Sequence, residues 1–360
     1  MDRVCAPAPQ LAGIVPYDPK YLPAEVYMSA NENPSDVDEE IRRQIEKAVK
    51  KVPFNRYPDP LANELREVIA DANGLDRDWV LVGNGGDELL FDTALAWGGP
   101  GRAYLDFPPT FSVYAANARL TNTPIISIER GPAPRFSIDR ERTLEVLSDP
   151  ANGIAYTIIA SPNNPTGLIA DQDLILDVLA ATDALVMVDE AYFEFSRLSV
   201  RPYLEKNENL VILRTFSKAF SLAGLRLGYI LAHPSVIREY MKVRQPYSVD
   251  AFSQAAGLVV FENRSRFVPA IESIIDERGR LLTAMATVPG VKPIPSDSNW
   301  ILFHMNDAAD AWQYMYGQGV LVRDFSKTPD LEGMLRVTVG TPDQNDRFLE
   351  VLKEFVLNKR

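Results

Sequence analysis

Short apolar runs alternate with amphipathic stretches through the middle of the chain, over 79–82, 103–106, 125–128, 155–160, 185–189, 210–214 and 227–231. Several of these runs, such as Leu185-Val186-Met187-Val188, are apolar at every position rather than at every second one. That pattern predicts strands covered on both faces, as in a mostly parallel sheet. Helical spacing between the runs completes an α/β alternation. Upstream, Ile41, Ile45, Ala48 and Val49 share one face of a helix predicted over 36–52, which Pro53 ends. Helical spacing resumes over 61–73 and stops at Gly74, with an irregular segment at 55–59 between the two helices. The first thirty residues are rich in Pro and Ala and read as an extended arm ending in a short strand at 25–28. Downstream, a long helix with one or more breaks is expected from about 250 to 280. Strands at 301–304 and 335–339 and helices at 307–318 and 343–357 then suggest a compact α+β part.

A length of 360 residues exceeds what one hydrophobic core usually serves. The expected division is a large α/β domain over 31–250 and a smaller unit made of 1–30 with 251–360. The charge balance is −12, which argues against non-specific attraction to nucleic acid or an anionic membrane. Cys5 is the single cysteine, so no intrachain disulfide is possible, and its Pro-rich setting makes a thiol nucleophile a weak reading. With only His233 and His304, a multi-histidine metal site is not expected. No apolar run approaches the roughly 20 residues that span a bilayer, and no basic-then-apolar leader opens the chain, so the cytoplasm is the expected location.

Four segments carry candidate chemistry, each at or just beyond the C-terminal end of a predicted strand, where open α/β sheets bind ligands. Gly83-Asn84-Gly85-Gly86-Asp87-Glu88 is a strand-to-helix turn whose N–H groups suit an anion. Taken alone it reads more readily as a capped turn, and its glycine spacing is not a dinucleotide fingerprint. Ser161-Pro162-Asn163-Asn164-Pro165-Thr166-Gly167 fixes a loop that offers two amides where a strand emerges. Asp189, in Asp189-Glu190-Ala191-Tyr192, ends a buried strand; such a carboxylate needs a cationic or N–H partner, although an N-cap would also explain it. Lys218 lies in Arg214-Thr215-Phe216-Ser217-Lys218-Ala219-Phe220, among apolar neighbours that lower an amine's pKa, while Ser217 and Arg226 suit a phosphate.

In this order, the four segments and Leu335-Arg336-Val337-Thr338-Val339-Gly340-Thr341 resemble the histidinol-phosphate aminotransferase family. These are fold-type-I enzymes dependent on pyridoxal 5′-phosphate, and the resemblance covers nearly the whole chain, from Pro16-Tyr17 and Asn31-Glu32-Asn33-Pro34 onward. It implies that Lys218 holds the cofactor as a Schiff base and moves the proton between Cα and C4′. It implies that Asp189 pairs with the pyridine nitrogen, and that Asn164 and Tyr192 hydrogen-bond the 3′ oxygen. Gly85, Gly86 and Asp87, with Ser217 and Arg226, resemble the phosphate site, and Phe111 the aromatic that stacks on the ring. Tyr57 is similar to a tyrosine that reaches the cofactor phosphate of a neighbouring subunit, which implies a homodimer.

At the substrate end, Tyr17, Arg323 and Arg336 resemble a clamp on the substrate phosphate or on the donor carboxylate. Two positions depart from the pattern: Phe111 stands where the family often has Tyr, and Gly86 where it has Ser or Ala. The implied reaction converts L-histidinol phosphate and 2-oxoglutarate into imidazole-acetol phosphate and L-glutamate. A threonine-phosphate decarboxylase and an aromatic amino-acid aminotransferase share these motifs and stay open as alternatives. A regulator that binds the cofactor without catalysis is disfavoured by the intact Lys218 and the lack of length for a DNA-binding domain.

Overall fold

The computed structural model describes residues 5–12, 14, 16 and 22–358. Twelve strands are present among them: β1 (Val26–Met28), β2 (Val80–Asn84), β3 (Ala103–Asp106), β4 (Ile125–Ser127), β5 (Ile154–Ala160), β6 (Leu185–Asp189), β7 (Leu210–Thr215), β8 (Leu227–Ala232), β9 (Lys292–Pro293), β10 (Trp300–His304), β11 (Val320–Asp324) and β12 (Met334–Thr338). Seven form one sheet in the order β2-β8-β7-β6-β5-β3-β4. Only β8 runs against its neighbours, so the sheet is mostly parallel, as the flat apolar runs predict. Every residue of β6, β7 and β8 is buried. Helices cover both faces, and a parallel sheet is stable only when so covered.

The other five strands form a second sheet, β1-β11-β12-β10-β9, antiparallel except where β1 lies beside β11. Its core of Met28, Ile301, Phe303, Leu335 and Phe348 is separate from the core of the large sheet. Two of its strands, β9 and β11, are too short or too interrupted by charge to be legible in the sequence; β11 includes Arg323 and Asp324.

Helix boundaries follow local chemistry. The first helix is Glu39–Val49, shorter than expected because the Asp38 carboxylate accepts from the Ile41 N–H at 2.8 Å and caps it. The second is Asn63–Asn73, ended by Gly74 at φ +62°. The long downstream helix is broken as anticipated, into Ala251–Glu262 and Val268–Ala286, with Asp250 capping the first piece.

Candidate active site

A cavity of about 830 Å³ opens at the C-terminal ends of β3, β5, β6 and β7 and is closed from the other side by β11 and β12. Its wall brings together Gly86, Asp87, Phe111, Asn164, Asp189, Tyr192, Ser217, Lys218, Arg226, Arg323 and Arg336. These come from widely separated stretches of the sequence, which only the fold makes neighbours. Gly85 sits one residue outside this wall, at the start of the helix Gly85–Trp97. Tyr57 is elsewhere: it is 81% exposed, and its ring stacks on Tyr247 at 4.5 Å. Tyr17 lies outside the described residues.

Asp189 ends β6 with its side chain turned into the cavity. Its Oδ2 accepts from the Tyr114 hydroxyl at 2.6 Å and its Oδ1 from the Ala191 N–H at 2.9 Å. Both donors are neutral. Burial pushes the carboxyl up to about 6, with the two hydrogen bonds pulling the other way. A cation arriving here would meet a buried carboxylate whose described hydrogen-bond donors are both neutral. The next residue, Glu190, points the other way. It accepts from Arg214 at 2.9 Å in a buried ion pair and from Ser199 at 2.8 Å. The two adjacent acids thus split, one into the cavity and one into the structure beneath it.

Lys218 follows β7 in the loop that leaves the sheet. Its Nζ donates to the Ala30 carbonyl at 3.0 Å and lies 5.7 Å from the centre of the Tyr192 ring. Burial, then the nearby Arg336, lowers the amine to about 8, so an appreciable fraction is unprotonated in mildly alkaline solution. Tyr192 is buried against Trp300 with ring centroids 4.4 Å apart, and burial raises its hydroxyl to about 12. It therefore remains a neutral phenol. Arg336 donates to Asn164 Oδ1, and through Nη2 to the Ser29 carbonyl at 2.7 Å. This leaves the Asn164 amide nitrogen as the end that can turn toward the cavity.

The anion end is built from backbone. Gly85 adopts φ +74°, in the left-handed region, and the first N–H groups of the helix that follows have no partner within the helix. A Cβ at Gly85 would come within 2.8 Å of the Arg226 guanidinium, so the glycine is what admits that side chain. Arg226 Nη2 donates to Asp87 Oδ2 at 2.9 Å. Beneath the turn, a Cβ at Gly228 would stand 2.7 Å from the carbonyl carbon of Gly85 and the nitrogen of Gly86. Gly228→Ala is expected to push this turn off β8 and destabilise the protein by about 1–3 kcal/mol, read as a lower melting temperature of the ligand-free protein.

A buried carboxylate with neutral donors only, a desolvated amine and an N–H-lined turn beside an arginine fit pyridoxal phosphate, whose ends are a ring N–H, an aldehyde carbon and a phosphate. The arrangement also contains residues the motifs did not single out. Tyr114 holds Asp189, and Asn31 donates to the Tyr192 hydroxyl at 3.3 Å. A spacing clue existed for Tyr114, which lies three residues after Phe111, with the two rings edge to face at 5.6 Å.

The model of the aminotransferase class I and II family matches residues 24–352. Histidinol-phosphate aminotransferase 1 of Carboxydothermus hydrogenoformans is 40% identical over 346 residues, 96% of this chain and 97% of that protein. Among solved structures, the histidinol-phosphate aminotransferase of Sinorhizobium meliloti in complex with pyridoxal-5′-phosphate superposes with a TM-score of 0.87 at 20% identity, covering 100% of this chain and 99% of the other. The L-threonine-O-3-phosphate decarboxylase of Porphyromonas gingivalis gives a TM-score of 0.79 at 24% identity, covering 92% and 99%. The shared fold therefore spans transfer and decarboxylation.

Proposed function

Because this chain belongs to the aminotransferase class I and II family, we propose that it transfers the amino group of L-histidinol phosphate to 2-oxoglutarate, with pyridoxal 5′-phosphate held at Lys218. The observation that carries this reading is the meeting of Lys218, Asp189 and two arginines, Arg323 and Arg336, around one cavity. The relative that shares 40% of its residues bears the name of that activity, which favours transamination over decarboxylation.

When bound, the cofactor supplies an electron sink for the charge that develops at the substrate Cα. The chain's own groups have distinct roles. Asp189 accepts the ring N–H and keeps that nitrogen cationic. The Asn164 amide and the Tyr192 hydroxyl donate to the 3′ oxygen, and Phe111 packs on the ring face. The N–H groups around Gly85, Gly86 and Asp87, with Ser217 and Arg226, hold the phosphate. Lys218 would hold the cofactor and would move the proton between the substrate Cα and C4′. An amine lowered to about 8 is suited to both directions near neutral pH. Arg336 and Arg323 clamp the substrate phosphate, or the carboxylate of the second substrate, in the same place.

The remaining parts of the reading concern assembly and place. Tyr57, exposed and preassembled against Tyr247, suits a role in the cavity of a second copy, with Tyr17 as a further phosphate contact. The separate core of the small sheet supports two units, for which we keep the division 31–250 and 1–30 with 251–360, although Val260, Phe261, Phe267 and Ile274 pack into the core of the large sheet. A cytoplasmic location goes with the biosynthetic activity proposed here, and no helix of the described residues is long and apolar enough to cross a membrane. Histidinol phosphate, phenylalanine and threonine phosphate assayed side by side with 2-oxoglutarate are expected to give glutamate fastest with histidinol phosphate. Carbon dioxide release from threonine phosphate as the main reaction would overturn the assignment.

A further inference from the structure

Asn31 is 1% exposed, adopts φ +56° and has every polar atom engaged. Its backbone N–H donates to Thr338 Oγ1 at 3.0 Å, and its carbonyl accepts from Asn299 Nδ2 at 3.0 Å. Thr338 Oγ1 in turn donates to Asn31 Oδ1 at 3.2 Å, which leaves Nδ2 to donate to Tyr192 at 3.3 Å. The direction of each bond follows from the one before. A backbone N–H can only donate, so the Thr338 oxygen accepts there and has a single proton to give. That proton goes to Asn31 Oδ1. With the amide reversed, Thr338 would accept twice and its proton would have no acceptor among the described contacts, a buried donor left unmet.

We propose that Asn31 is a positioning residue: by donating to the Tyr192 oxygen it leaves the phenol proton free to point into the cavity, at the cofactor's 3′ oxygen. This rests on the reading of Tyr192 given above and extends it to the pair Asn31 and Thr338, which act through Tyr192 rather than on a reacting atom. An Asn amide and an Asp carboxylate have the same shape, and both tolerate the left-handed backbone, but the carboxylate only accepts. Asn31→Asp therefore takes the Tyr192 proton for itself and strips a donor from the 3′ oxygen.

Donors to that oxygen favour the unprotonated cofactor linkage, so losing one raises the pH at which the visible band of the bound cofactor titrates. The test is that titration in the holoenzyme. Asn31→Asp is expected to move the midpoint up by about one pH unit, the effect of one hydrogen bond to a charged group. Tyr192→Phe is expected to do the same, and the double variant to shift no further than Tyr192→Phe alone. A full additional shift in the double variant would mean that Asn31→Asp acts through its charge or through packing, and would overturn the proposal. Thr338→Ser is expected to titrate like the wild type and Thr338→Val at higher pH. That pair decides the matter even if Asn31→Asp does not fold; equal midpoints for the two overturn it. If the wild type takes up no pyridoxal phosphate, the reading of the whole site falls and this inference with it. If the wild type titrates and Asn31→Asp titrates at the same pH, only this inference falls.

Discussion

Replacing Lys218 with alanine is expected to cut transamination by about 10³-fold or more and to abolish the borohydride-sensitive visible band, while the protein stays folded. Two separate contributions disappear together. On the proposed function the covalent anchor for the cofactor would be lost, and so would the base that moves the proton, a role worth about 10²–10⁴-fold on its own. Folding is spared because the amine contributes little to it: its one described hydrogen bond is to the Ala30 carbonyl. The folded amine titrates at about 8, below its ordinary 10.5, so the protonated form is disfavoured in the fold. Wild-type stability therefore rises as pH climbs from 8 through 10.5, and at pH 7 the alanine variant should melt no lower than the wild type. Single-turnover absorbance and thermal melts of the ligand-free protein check the two halves. A variant that keeps most of its activity would remove Lys218 from the chemistry.

Much of this fold was legible because burial on both faces of a parallel sheet leaves a local trace. The runs that became β5, β6, β7 and β8 are mostly apolar, interrupted inside only by Thr157 of β5 and Gly228 of β8, with charged and polar residues confined to the ends of β6 and β7. The motif residues were legible for a related reason: each sits within a few positions of a strand end, so Asp189, Lys218 and Asn164 could be placed before their neighbours were known. Their partners could not. Tyr114 meets Asp189 across 75 residues, and Asn31 meets Thr338 across 307. Such pairs depend on strand order and on how the small sheet closes over the large one, and neither is encoded in local periodicity. Glu190 shows the same limit at short range. Nothing in Asp189-Glu190 says which acid enters the cavity until the strand's alternation is fixed by its neighbours.

The same split between site and scaffold governs Asp189→Asn, for which opposite effects on stability and on cofactor binding are expected. In the ligand-free protein the carboxyl titrates at about 6, above its ordinary 3.8, so burial penalises its ionised form. A raised acid favours the fold below pH 3.8, and that benefit is lost as pH rises through 6. A neutral amide avoids the penalty: its oxygen can still accept from the Ala191 N–H and its nitrogen can donate to the Tyr114 hydroxyl, whose proton then loses its described acceptor and offsets part of the gain. Ligand-free Asp189→Asn should accordingly be more stable than the wild type at pH 8, by about 1–3 kcal/mol, with the difference closing as pH falls toward 4. With the cofactor the order reverses. The pyridine nitrogen loses its counter-charge and is left facing an amide. Removing one partner of such a buried pair costs about 3–5 kcal/mol, or roughly 10²–10⁴-fold in activity. Melts of the ligand-free and cofactor-loaded proteins at pH 8, with activity measured on the same samples, read both signs. Loss of stability in both states would mean that Asp189 serves the fold rather than the ring.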